Sequence, residues 1–347
     1  MYKTLFRPVL FMMDPEKIHH LIVFILKVVT RIPGIKRLLS GWFSADDPSL
    51  VTRVAGLEFR NKVGLAAGFD KNADFYREFS VFGFSFIEIG TVTPLPQKGN
   101  PKPRLFRLVK DQALINRMGF NNKGVDHAVN MLQKRDHCLI IGGNIGKNTL
   151  TPNDKAADDY ATSFEKLYDA VDYFAVNISC PNIAGMEKLQ DTDSLREILN
   201  KVMKIRSAKS TRKPVFLKIS PDLSFHHIDE VIALYHETGL DGIIATNTST
   251  TRDPLLTDPT VVSQLGSGGL SGKPLTAKSL EMVSYICKQS DNAIPVIGVG
   301  GIMTAEDAIN MIKAGASLVQ VYSGFIYEGH FLVKKINKAI AAGFRQE

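Results

Sequence analysis

The sequence predicts an α/β fold, a (β/α)8 TIM barrel with a small N-terminal helical extension. Three observations lead there. Eight short apolar runs recur between residues 63 and 324, each followed by Gly, Asn, Thr or Ser and then by a helical stretch. Runs this continuous suit strands buried on both faces, and their alternation with helices implies a parallel sheet. Residues 1–45 follow another pattern, of helical apolar stretches with basic edges. A doubly wound open sheet is the competing architecture. It usually carries fewer strands, and no GxGxxG follows the first run.

In chain order, residues 1–45 come first. They hold seven Lys/Arg against Asp14 and Glu16. Asp14 reads as a helix N-cap, with Pro15 at the first helical position and Glu16 in the first turn. The helix continues through "KIHHLIVFILKVV" and stops before Pro33-Gly34. Its uninterrupted apolar run, "LIVFIL", falls far short of the ~20 residues a membrane span needs. Acidic residues before that run and the lack of a small-residue cleavage site exclude a secretory signal. A pair of amphipathic helices fits better, lying on a membrane surface, capping a hydrophobic tunnel, or simply packing on the main domain.

Residues 46–347 form the barrel. The eight runs are "VGLAAG" (63–68), "FIEIGTV" (86–92), "LIIGGNIG" (139–146), "YFAVNIS" (173–179), "VFLKIS" (215–220), "GIIATN" (242–247), "PVIGVGG" (295–301) and "LVQVYSG" (318–324). Function in such barrels collects at the C-terminal strand ends. The polar residues stand there: Lys71 after the first run, then Thr91, Asn144, Asn177, Thr246 with Asn247, Gly300-Gly301, and Tyr322-Ser323, with Lys218 inside the fifth. Buried polar groups need partners, so a ring of them predicts a ligand. "GVGGI" and "YSG" follow the last two strands, where barrels commonly bind phosphate through backbone N–H groups. Lys218 demands a negative partner, such as a flavin that becomes anionic on reduction, a phospho-sugar or a carboxylate.

Composition excludes several classes. The 347-residue chain is 44% hydrophobic, ordinary for a globular protein. Its three cysteines, Cys138, Cys180 and Cys287, lack paired spacing, which argues against disulfides and structural zinc and for a reducing compartment. The eight histidines include no HExxH, so no metal is expected. The net charge of +7 comes without an RNP motif, zinc finger or Lys/Arg block, so no nucleic acid is expected either.

Several segments together resemble dihydroorotate dehydrogenase, the FMN enzyme family of pyrimidine synthesis, over nearly the whole chain. They include "AAGFDKN" (66–72), "EIGTVTP" (88–94), "GNPKPRLFRL" (99–108), "NRMGFNN" (116–122), "NIGKN" (144–148), "NISCPN" (177–182), "LKISPDL" (217–223), "GGLSG" (268–272) and "IGVGGI" (297–302). The resemblance implies that Ala67, Gly68, Thr91, Asn144, Asn177, Lys218, Thr246, Gly272, Gly301, Tyr322 and Ser323 hold FMN. It implies that Lys71, Asn116, Asn177, Asn182, Asn247 and Thr248 hold dihydroorotate, with the Asn116–Arg117–Met118–Gly119–Phe120 turn closing over it. Asn side chains offer donors and acceptors to a cyclic imide, and Lys71 a cation to its carboxylate. The family's reaction takes a proton from C5 and a hydride from C6 of dihydroorotate. Cys180 falls at the position of the base, where the thiolate is the competent form. The catalytic set is then Cys180, Lys71 and Lys218.

The family has a soluble class and a membrane-associated, quinone-reducing class. The N-terminal extension, "NRMGF" and "PRLFRL" mark the second, and the helix start Asp14-Pro15-Glu16 with His19 joins them. His19, Arg107 and Tyr322 are then expected near the quinone head group. Cys180 stands where this class usually has serine, and Ile183 where it has threonine. Cysteine is typical of the soluble class, which keeps fumarate or NAD open as acceptor. Outside this family, Lys218 suits a Schiff-base aldolase or isomerase, and residues 1–45 a membrane-binding module. The expected setting is peripheral, on the cytoplasmic side of a prokaryotic inner membrane, with the oligomeric state open and a monomer favoured.

Overall fold

The computed structural model describes residues 2–45, 47–135, 138–178 and 192–344; Cys180, Asn182 and Ile183 lie outside the described residues. The eight apolar runs form eight strands: β1 (Val63–Leu65), β2 (Phe86–Val92), β3 (Ile140–Ile145), β4 (Tyr173–Asn177), β5 (Val215–Ile219), β6 (Gly242–Ala245), β7 (Val296–Val299) and β8 (Leu318–Val321). They close into a barrel in sequence order, every neighbouring pair parallel. Every residue of these strands except Ile140 is buried, which is why the runs read as continuous rather than alternating.

Helices return the chain from one strand to the next on the outside. The helix Thr192–Ser207 buries Leu195, Ile198, Leu199, Val202 and Met203, the spacing of one helix face. Ala305–Lys313 begins with a capping box, Thr304 accepting from the Asp307 N–H and the Asp307 carboxylate accepting in return. The barrel bore is filled by Phe86, Tyr173, Phe216, Ile244 and Leu318. Val54 and Phe59 join this cluster from the hairpin Thr52–Val54/Leu57–Phe59, Phe59 meeting Phe86 edge-on at 5.2 Å. The bore is a packed plug rather than a channel.

Two additions shape the site. An antiparallel sheet of Leu105–Leu108, Ala113–Asn116 and Gly269–Gly272 sets "PRLFRL", the start of "NRMGF" and "GGLSG" side by side. The second is the extension, with helices α1 (Arg7–Phe11), α2 (Pro15–Val29) and α3 (Ile35–Phe43). Asp14 caps α2 by accepting from the Glu16 and Lys17 N–H groups, at 3.1 and 2.9 Å. Glu16 then receives a two-pronged bond from Arg104, at 2.7 and 3.2 Å, which pins α2 to the barrel domain. Burial would raise the Glu16 carboxyl, but Arg104 and Lys102 outweigh it and hold the group below the usual carboxylate range. The outward faces stay apolar and exposed, with Met12 87%, Phe24 64% and Trp42 61% accessible. Among the described residues no helix is long and apolar enough to cross a membrane.

Candidate active site

A pocket of about 140 Å³ opens at the C-terminal ends of the strands. Ten of the eleven residues expected to hold the cofactor line it: Ala67, Gly68, Thr91, Asn177, Lys218, Thr246, Gly272, Gly301, Tyr322 and Ser323. Lys71, Asn116, Met118, Gly119, Phe120, Asn247 and Thr248 line it as well. Two expected residues are not among the lining. Arg117 does not reach the pocket: its guanidinium donates to the carbonyls of Pro103 and Leu265 and lies over the Phe106 ring at 5.3 Å. Asn144 stands one layer behind the lining, fully buried, because its amide is engaged by neighbours on other strands.

Those neighbours form one network. Thr91 Oγ1 donates to Asn144 Oδ1 at 2.6 Å. Asn177 Nδ2 donates to Thr91 Oγ1 at 2.9 Å and Asn144 Oδ1 at 3.2 Å. Asn247 Nδ2 donates to Asn177 Oδ1 at 3.2 Å. Strand ends far apart in sequence thus hold each other's amides in fixed orientation.

The anionic partner of Lys218 is a residue the sequence reading passed over. Lys218 Nζ donates to Glu88 Oε1 at 3.0 Å, and both side chains are buried. The signal was present: a carboxylate inside "FIEIGTV", an otherwise apolar or neutral strand, needs a partner as much as Lys218 does. Gln320 and Ser271 also line the pocket unannounced. Ser271 pairs with Ser323, oxygen to oxygen, at 2.9 Å.

Lys71 bridges outward. Its ammonium donates to the Gly68 carbonyl at 3.1 Å. Burial, with Arg104 adding to it, brings the group down to about 8, against the opposing pull of Glu16 and Asp70. Tyr322 packs its ring on Phe69 at 5.0 Å, and burial pushes its hydroxyl up to about 12, so it stays neutral.

A second cavity, about 460 Å³, lies between the extension and the barrel. Ile18, Val23 and Leu26 of α2 and Leu39 and Phe43 of α3 form one side, and Phe69, Phe79, Phe82 and Phe325 the other. His19, Arg107 and Tyr322, the three residues expected at a quinone head group, all line it. His19 is driven down to about 4 by burial, reinforced by Lys71 and His20, so its ring is neutral at pH 7. Arg107 donates to the Met13 and Phe11 carbonyls, at 2.7 and 3.3 Å, closing the α1–α2 turn over the cavity. The two cavities share Gly68, Lys71, Met118 and Tyr322 as a common wall.

A closed barrel with a polar pocket at its strand ends, backed by an apolar cavity under an added helical lid, defines a TIM-barrel protein with separate sites for a polar and an apolar partner. The particular family follows from comparison with known proteins. The dihydroorotate dehydrogenase family model matches residues 49–343. A "Dihydroorotate dehydrogenase (quinone)" of Christiangramia forsetii is 51% identical over 340 residues, covering 98% of each chain. One of Nocardia farcinica is 46% identical, covering 100% of this chain and 94% of its own. The crystal structure of DHODH from Eimeria tenella in complex with ferulenol superposes with a TM-score of 0.84 at 36% identity, covering 96% of this chain and 92% of that one. The chain belongs to the dihydroorotate dehydrogenase family. Relatives matched over 93–98% of their own length carry the quinone name, which does not favour the fumarate or NAD acceptor that Cys180 had kept open.

Proposed function

We propose that the barrel pocket binds FMN and dihydroorotate together, and that the apolar cavity admits the quinone from the far side of their shared wall. The reaction is oxidation of dihydroorotate to orotate with electrons passed to a quinone, a step of pyrimidine biosynthesis. The observation that carries the assignment is the common wall of Gly68, Lys71, Met118 and Tyr322, with a polar site on one side and an apolar one on the other.

The residues present fit FMN. Gln320 Oε1 is buried without a partner at the pocket, a free acceptor for a ring N–H. Gly301 takes φ +71, and a Cβ there would stand 2.2 Å from the Thr276 nitrogen, so only glycine keeps this loop tight and its backbone bare for a phosphate. Bound FMN supplies two-electron redox chemistry that no side chain offers. Lys218, Thr91, Asn177 and Thr246 would hold its ring, and Gly272, Gly301 and Ser323 its phosphate end. Asn116, Asn177, Asn247 and Thr248 would hold the imide of dihydroorotate, and Lys71 its carboxylate. Cys180 and Asn182 complete this set from a segment outside the described residues, Cys180 taking the C5 proton.

Residues 1–45 would serve as a module of their own, resting on an anionic membrane surface. The exposed Met12, Phe24 and Trp42 beside seven Lys/Arg support that reading. The corresponding setting is the cytoplasmic side of a prokaryotic inner membrane, as a peripheral monomer. Turnover of dihydroorotate with quinone and with a water-soluble dye tests it, using the full chain and a chain starting at residue 46. Loss of quinone reduction with dye reduction kept is expected; unchanged quinone kinetics in the shorter chain would contradict it.

A further inference from the structure

At the floor of the barrel pocket one carboxylate gathers donors from four other strands. Glu88 Oε1 accepts from Asn144 Nδ2 at 2.7 Å and from Lys218 Nζ at 3.0 Å. Glu88 Oε2 accepts from Gln320 Nε2 at 2.7 Å and from the Tyr173 hydroxyl at 3.3 Å. The donors stand on β3, β5, β8 and β4, while Glu88 stands on β2. Glu88, Asn144 and Gln320 are fully buried, and Lys218 nearly so. The bore below is the apolar plug of Phe86, Phe216, Ile244 and Leu318, so apolar side chains close the site on that side.

The sequence makes room for this hub. Gly142 pairs with Glu88 across β2 and β3. A Cβ on Gly142 would stand 2.1 Å from the Tyr173 ring and 2.4 Å from its hydroxyl, so glycine there is what lets Tyr173 reach the carboxylate. A carboxylate wrapped in four donors is a strong acceptor held in one orientation. Of those four donors, Lys218 and Gln320 line the pocket.

We infer that Glu88 is a positioning residue that fixes Lys218 and Gln320 as one set against the flavin, and that its charge cancels most of the Lys218 charge the flavin would otherwise feel. This rests on the FMN reading of the pocket. A lone ammonium in that place would pull the flavin strongly toward its reduced, more negative form. Paired with Glu88 it remains a hydrogen-bond donor but adds little net charge. The pair therefore keeps the bound flavin able to hand its electrons on to the quinone.

Glu88→Gln separates charge from shape. The new side chain retains an acceptor for Lys218 and Asn144. Gln320 Nε2 keeps the Tyr173 oxygen, 3.5 Å away, as an acceptor, so its Oε1 stays turned to the pocket, and the Tyr173 hydroxyl can rotate to accept from the new NH2 group. The measurement is the reduction potential of the bound flavin, by spectroscopic equilibration with a reference dye. Glu88→Gln should favour reduction at least tenfold, a rise of about 30 mV for a two-electron couple. Tyr173→Phe, which removes a donor but no charge, should leave the potential where it was. The double variant Glu88→Gln/Lys218→Met removes both charges, and its potential should return to within about 30 mV of wild type. A Glu88→Gln protein with full flavin and an unchanged potential overturns the inference. If Glu88→Gln fails to fold, the double variant decides: a potential tenfold or more below wild type would mean that Lys218 delivers its charge uncancelled, and overturns it equally. Wild-type protein that purifies without a flavin absorbance would instead sink the FMN reading, a result separate from either of these.

Discussion

Around the barrel pocket, polar side chains hold one another: Thr91, Asn144, Asn177 and Asn247 run in a chain of hydrogen bonds, and Glu88 ties Lys218 and Gln320 beneath them. Around the apolar cavity the lining is mostly Phe, Leu, Ile and Val, and its lid is pinned by the Glu16–Arg104 pair and by Arg107 on two carbonyls. One site is organised before any ligand arrives. The other is a space between two packed bodies, shaped by where α2 and α3 sit. Such a lid can admit a long apolar molecule without breaking a polar network, whereas the barrel pocket gains specificity from having one. The same chain can thus evolve or be altered at one site with little effect on the other.

The largest expected effect lies on the polar side. Cys180→Ala should slow flavin reduction by dihydroorotate by about 10²–10⁴-fold, the usual contribution of a general base. Reoxidation of the flavin by quinone should keep its rate. Stopped-flow absorbance resolves the two halves, and equal losses in both would erase the distinction between the sites.

Glu16→Ala attacks the lid. It removes the charge partner of the buried Arg104, a cost of about 3 kcal/mol, read as a lowered denaturation midpoint. The KM for quinone should rise, while the KM for dihydroorotate with a dye acceptor stays within twofold. A matching rise in both would mean that the lid also shapes the barrel pocket.

Lys71 stands in the common wall, so its titration sharpens the contrast. Its ammonium sits near 8, below the ordinary lysine value. Dihydroorotate affinity should therefore be flat below pH 8 and weaken by up to about tenfold per pH step above it. Quinone affinity should not follow. Lys71→Met should abolish this pH dependence, and a profile that kept it would assign the titration to another group.

His19 gives the smallest effect on turnover and is read through stability instead. Its folded value near 4 lies below the unfolded 6.5, so between these values the unfolded chain binds more protons. Stability should be fully present above pH 6.5 and fall as the pH drops toward 4, by up to about 3 kcal/mol. His19→Gln should flatten that slope in a urea titration series. An unaltered slope would trace it to other groups.

The barrel strands were legible in the sequence because burial on both faces writes a continuous apolar run, and all eight runs became strands. The cap at Asp14 was legible because a capping bond spans only a few residues. The sheet of Leu105–Leu108, Ala113–Asn116 and Gly269–Gly272 was not, since its strands are four residues each and Asn116 meets Gly269 across a long stretch of chain. Most of the pocket lining was carried by motifs at strand ends. The direction of the Arg117 side chain was not legible, because a motif gives a residue's place on the chain but not where its side chain points, here fixed by the Pro103 and Leu265 carbonyls. Glu88 was missed for a related reason. Only closure of the barrel brings a β2 carboxylate against a β5 ammonium, and no local spacing relates them.

The separation of the two sites by one shared wall is tested most directly by filling the cavity from the lid. Leu26 lines it from α2, on the face toward the barrel. Leu26→Trp should leave reduction of the flavin by dihydroorotate within twofold of wild type and slow its reoxidation by quinone at least tenfold, both read by stopped-flow absorbance at 450 nm. Equal slowing of both half-reactions, or an unimpeded reaction with quinone, would contradict it.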